Sequence, residues 1–135
     1  MEQIIKTDSV LPDEEKQLAG GKELALKIAA ILDEKKAHDI KIIEVNKKTI
    51  IADYFVIAGG SSRTQVNALA DEVEYKLGLE NIVPSRVEGR GDGSWVLLDF
   101  DSVLVHVFGR DARDFYKLEK LWAEGTPVEF EQKED

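Results

Sequence analysis

Asp99 and Asp101 are the residues of this 135-residue chain whose types and spacing most directly suggest chemistry. Carboxylates two apart on an extended segment project to one side and can share the metal ions of a nucleotidyl transfer. That chemistry also needs a triphosphate cradle, and Gly59-Gly60-Ser61-Ser62, placed before a helical stretch, offers unpaired N–H groups of the kind that attract anions. The spacing argues against combining the two. In such sites the acids follow the Gly-Ser element closely, whereas roughly forty residues intervene here, and Asp near a hairpin tip is simply a good turn former. The Gly-Ser stretch has no Lys and no G-x-x-x-x-G-K pattern, and Gly89-Arg90-Gly91-Asp92-Gly93 leads into a strand rather than a helix. Both read as tight turns. A metal-dependent nucleotidyltransferase-type enzyme is therefore the alternative reading, and no catalytic residue, metal ligand or cofactor is assigned.

The two histidines, His38 and His106, have no serine or carboxylate spaced to complete a triad. His38 reads as a cation at a helix C-terminus. His106 lies in the second arm of the clearest hairpin in the chain, Trp95 to Asp99 followed by Val103 to Phe108, with Asp101-Ser102 near the tip. Whether Leu98 lies opposite Val103 or Val105, odd positions of the first arm pair with even positions of the second. One face then carries Val96, Leu98, Val103, Val105 and Val107, all aliphatic and therefore core. The other carries Trp95, Leu97, Asp99, Leu104, His106 and Phe108, a mixture of aromatic, aliphatic, carboxylate and imidazole groups typical of a binding patch. Alternatively, helices cover both faces and His106 is hydrogen-bonded in the interior.

The elements that must position this hairpin follow from periodicity. From Lys22 to Ala37, Leu24, Ile28, Ile31 and Leu32 form one stripe of an amphipathic helix. Ile40 to Val45 and Tyr54 to Ala58 read as strands, the second mostly buried. Either Ser61 or Ser62 can cap a helix from Arg63 to Leu77, with Val66, Ala70, Val73 and Leu77 on its stripe and Gly78 as its stop. Pro84 to Glu88 reads as an edge strand, and Asp111 to Trp122 as a further helix carrying Phe115, Leu118 and Leu121. The order predicts one α/β domain, a mixed β-sheet with flanking helices. Residues 1–19 read as a flexible leader and 125–135 as an acidic tail, disordered or added on an edge.

Composition bounds the function classes. The absence of cysteine removes disulfide scaffolds, thiolate metal sites and thiol nucleophiles, and fits a reducing cytoplasm. The amino terminus lacks the pattern of a signal peptide, and no run approaches the length of a membrane span; this also leaves Arg90-Gly91-Asp92 as a coincidental adhesion tripeptide. The formal charge of −9 is concentrated in the ends: residues 18–122 carry seventeen acids and fifteen bases. No basic face is evident, so direct nucleic-acid reading is not expected.

Several blocks together resemble one family. Asp53-Tyr54-Phe55-Val56-Ile57-Ala58-Gly59, Ser62-Arg63, Gln65-Val66, Glu88-Gly89, Trp95-Val96-Leu97-Leu98-Asp99, Val105-His106-Val107-Phe108 and the run from Arg113 through Phe115-Tyr116 and Leu118-Glu119 to Leu121-Trp122 are similar, in this order, to the ribosomal silencing factors, RsfS or Iojap-like proteins. The similarity covers about residues 20–124, which we delimit as an RsfS/Iojap-like domain. It implies a nucleotidyltransferase-like fold without the catalytic acids, and no enzyme activity. It also implies a cytoplasmic translational repressor that binds the large ribosomal subunit through its fourteenth protein at the subunit-joining face, and sterically blocks association with the small subunit. A homodimer off the ribosome is left open. The expected partner-binding residues are Glu88, Trp95, Leu97, Asp99, Leu104, His106, Phe108 and Glu119.

Overall fold

The computed structural model describes residues 13–47, 49, 51–109 and 125–132. The element order is α1 (Asp13–Glu34), β1 (His38–Glu44), β2 (Tyr54–Gly59), α2 (Arg63–Gly78), β3 (Arg86–Glu88), β4 (Trp95–Asp99), β5 (Val103–Phe108) and β6 (Thr126–Val128). The strands form one mixed sheet in the order β3-β4-β5-β2-β1-β6. Its centre is the parallel pair β2–β5, and every other pairing is antiparallel. The expected α/β architecture is thus present, and the expected helix over Asp111 to Trp122 lies outside the described residues.

Both described helices pack on one face of the sheet. From α1, Ala25, Ile28, Ala29 and Leu32 are fully buried, and from α2, Val66, Leu69, Ala70, Val73 and Leu77. They meet Ile40, Ile42, Tyr54, Val56, Ala58, Val96, Leu98, Val103, Val105 and Val107 in one core. Each fully buried Leu, Ile or Val side chain contributes about 1.5–3 kcal/mol against remaining in water, so this layer dominates the stability of the domain. An ion pair between Lys27 and Glu80 ties α1 to the far end of α2.

The helix boundaries differ from the expected ones for identifiable reasons. α1 starts at Asp13, inside the stretch read as leader, and runs through Gly20-Gly21. At Gly21 an added Cβ would lie 3.1 Å from the Tyr54 ring, so this glycine marks close approach of helix to sheet rather than a break. α1 ends at Glu34, and Lys36 takes the left-handed conformation (φ 63°) while Ala37 N–H donates to Leu32 O, closing the last turn from beyond the helix. His38 consequently opens β1 instead of closing α1. Gly78 is the last residue of α2, not its stop; the chain turns left-handed only at Asn81 (φ 64°), and Ile82 N–H returns to Leu77 O.

Candidate functional site

The hairpin register decides which side chains stand together. Trp95 pairs with Phe108, Leu97 with His106, Leu98 with Val105 and Asp99 with Leu104. The valine face with Leu98 therefore belongs to the helix-covered core, and Trp95, Leu97, Asp99, Leu104, His106 and Phe108 project from the opposite side of the sheet, as the alternation implies. Strand β3 adds to that side. Arg86 is opposite Asp99 and Glu88 opposite Leu97, which places both residues beside β4 on the same face. Seven of the eight expected contact residues thus share one face; Glu119 lies outside the described residues.

Sequence reasoning did not include the part of this face supplied from further along the sheet. Ile43, Val45, Ala52, Phe55 and Ile57 join Leu104 and Phe108 in a second apolar cluster, with Trp95 and Leu97 packed against it. Phe55 pairs with Leu104 and Ile57 with His106 across the parallel β2–β5 ladder. The alternation Tyr54 in, Phe55 out was present in the sequence, but only the adjacency of β2 and β5 turns it into a shared surface.

The face is graded from centre to margin. Leu104, His106 and Phe108 are buried, Trp95, Leu97 and Asp99 half-buried, and Glu88 exposed. Aromatic rings form a connected group: Trp95 stacks on Phe108 at 5.2 Å between centroids, and Phe55 tilts against His106 at 4.9 Å. The Trp95 indole Nε1–H donates to His106 Nδ1 at 3.2 Å. Burial pushes the His106 imidazole down to a pKa of about 4, so the ring is neutral near pH 7. Because Nδ1 accepts, the proton resides on Nε2, which is buried with no hydrogen-bond partner among the described residues. Such a ring holds the Trp95 side chain in place and carries no charge.

At the margin, Arg86 stands between two acids, with Nη1 3.1 Å from Glu88 Oε2 and Nη2 3.4 Å from Asp99 Oδ2. This triplet carries one net negative charge beside Trp95 and Leu97. Asp99 Oδ1 also accepts from Asp101 N–H at 2.8 Å, and Asp101 is left-handed (φ 69°) with its Oδ1 3.4 Å from Ser85 Oγ. Both carboxylates are therefore engaged in shaping the hairpin tip and tying it to the β3 side. Among the described residues no group of three His, Asp or Glu side chains could hold a metal ion.

The two glycine-rich stretches position the same hairpin. Ser62 caps α2, accepting from Gln65 N–H at 3.0 Å, while Gln65 Oε1 accepts from Ser61 N–H, so the Ser61 and Gln65 donors at this turn are used internally. Gly60 N–H donates to Phe108 O at 2.8 Å. At Gly89 (φ 87°) an added Cβ would collide with the Trp95 carbonyl oxygen, so only glycine lets β3 turn back tightly onto β4. Arg90 then pins the loop to α2 through Asp71 at 3.1 Å and Glu74 at 2.7 Å.

Comparison with known proteins gives this face its context. The family model described as "Ribosomal silencing factor during starvation" matches residues 19–135. The chain belongs to this family. It is 42% identical over 100 residues to the ribosomal silencing factor RsfS of Bacillus subtilis (strain 168), covering 73% of this chain and 85% of that one. It is 31% identical over 101 residues to a mouse protein named mitochondrial assembly of ribosomal large subunit protein 1, covering 70% of this chain and 43% of that one. A crystal structure of a Bacillus halodurans protein superposes with a TM-score of 0.68 at 36% identity, over 80% of this chain and 95% of that chain. Membership in the silencing family implies translation regulation at the ribosome. No described helix is long and apolar enough to cross a membrane.

Proposed function

We propose that this protein is a cytoplasmic translational repressor that docks on the large ribosomal subunit, through its fourteenth protein at the subunit-joining face, and excludes the small subunit by occupying that face. The observation that carries the proposal is the convergence of Glu88, Trp95, Leu97, Asp99, Leu104, His106 and Phe108 on one side of the sheet in a chain of the silencing family. The name of the mouse relative, which refers to the large subunit, supports the choice of subunit.

In this reading the half-buried Trp95 and Leu97 are the anchors, since aromatic side chains with a restricted rotamer carry much of the energy of small interfaces. Buried Leu104, His106 and Phe108 fix their orientation from beneath, and Glu88 and Asp99, with Glu119, face a basic partner, where complementary charge speeds encounter and sets register. Inhibition requires no chemistry: a folded domain on the joining surface competes with the small subunit for space. A homodimer off the ribosome would use the same exposed margin.

Cosedimentation tests the proposal directly. The protein is expected to travel with isolated large subunits and not with joined ribosomes, and to lower subunit association as it saturates. Unchanged association at saturating protein would overturn it.

A further inference from the structure

Among the described residues the sheet has two outer strands, β3 and β6. β6 has only three ladder positions on β1: Thr126 opposite Glu44, Pro127 opposite Ile43 and Val128 opposite Ile42. The ladder stops there, but the strand-like alternation continues. Val128, Phe130 and Gln132 are half-buried, while Pro127, Glu129 and Glu131 are exposed. Val128 and Phe130 pack against the helix-side core. Extending the register places Gln132 opposite His38, the first residue of β1.

At that point the β1 backbone leaves regular geometry. Its pairing with β2 shifts between His38 and Lys41, and Asp39 is left-handed (φ 47°). A neighbouring backbone strand cannot follow such a bulge, and the outward groups would be left without a partner. The Gln132 side chain supplies one. Its Nε2 donates to Ala37 O at 2.7 Å and its Oε1 accepts from Ile40 N–H at 3.2 Å. A flexible primary amide, carrying the same donor and acceptor as a peptide unit, thus completes the ladder where the peptide ladder fails.

We propose that residues 126–132 form a strap that closes the outer edge of β1 to strand addition by a second copy of this chain, and that Gln132 is its latch. An uncovered edge with the sequence His-Asp-Ile-Lys-Ile-Ile-Glu is a template for pairing with its own kind. The strap removes that template and offers a poor one in its place: Pro127 has no N–H to donate, and Glu129 and Glu131 place like charges along the new edge. The strap lies at the opposite edge of the sheet from β3 and the Trp95 margin, so its role is independent of ribosome docking.

The test uses the full chain with Gln132→Ala and Gln132→Glu. The second variant fills the same space and keeps an acceptor for Ile40 N–H, but loses the donor and sets a carboxylate against the Ala37 carbonyl. Amide hydrogen exchange at Ile40 should accelerate about tenfold or more in both variants, with Val56 in the sheet centre unchanged. Light scattering should show concentration-dependent species larger than those of the parent chain. Unaltered exchange at Ile40, acceleration in Gln132→Ala with parent-like exchange in Gln132→Glu, or a loosened edge without larger species would each overturn the proposal.

Discussion

The two faces of the sheet are made from alternate residues of the same strands and differ in composition and burial. On the helix side Val96, Leu98, Val103, Val105 and Val107 are fully buried, aliphatic and in contact with α1 and α2. On the other side the same strands present Trp95, Leu97, Asp99, Leu104, His106 and Phe108, graded from buried centre to half-buried margin, with an imidazole in the interior. A core needs only volume and apolarity, and five residues of two types supply both. The docking role proposed for the other side requires side chains held in one arrangement, and the Trp95–His106 hydrogen bond and the stacking of Trp95 on Phe108 supply that constraint.

The sharpest way to break this comparison is to truncate one residue on each face. Leu98→Ala should cost about 2–5 kcal/mol of unfolding free energy, while leaving the ribosome affinity of the folded fraction intact. Trp95→Ala should weaken large-subunit binding by about 2–4 kcal/mol, and cost only about 2 kcal/mol of stability because the side chain is half-buried. Paired denaturation and cosedimentation measurements separate the cases. Intact binding by folded Trp95→Ala protein would remove Trp95 from the interface.

His106 yields the next largest effect, through pH. Its folded pKa of about 4 lies below the ordinary value of 6.5, so the unfolded chain binds the proton more tightly than the folded one. The stability present above pH 6.5 is lost as the pH falls from 6.5 toward 4. Between pH 7.5 and 5 the loss from this residue should be about 2 kcal/mol. Urea denaturation of the parent and of His106→Phe should diverge by that amount over this interval, and parallel profiles would show that His106 is not the cause.

A smaller effect separates charge from packing at the margin. Arg86→Ala frees Glu88 and Asp99 from a partly exposed ion pair, so stability should move by no more than about 0.5 kcal/mol. Association with a basic partner should become faster at low salt, on the order of twofold to threefold, and the gain should vanish as salt screens it. A slower association would mean that Arg86 itself touches the partner.

Much of this was legible beforehand because it is local. The blocks from Trp95 to Asp99 and from Val105 to Phe108 carry their alternation in the chain, and either plausible register keeps Trp95, Leu97, His106 and Phe108 together. The tail was less legible. Glu129 to Asp135 reads as a charged run, yet Val128, Phe130 and Gln132 alternate with its acids and lie along β1, with Thr126–Val128 forming the edge strand. Three useful positions among so many charges do not form a strong periodic signal.

The sequence by itself determined the types of the elements between Lys22 and Phe108, the sides of the hairpin and the family, since each depends on residues close together in the chain or on ordered blocks. Tertiary structure alone decided that β2 lies parallel beside β5, bringing Phe55 against His106, and that Gly21 meets Tyr54 inside a continuous helix. It also decided that the Gln132 amide reaches a bulge more than ninety residues away. Periodicity states which side of a strand a residue occupies, but not which strand will stand next to it; that choice is made by the burial of the whole apolar surface at once.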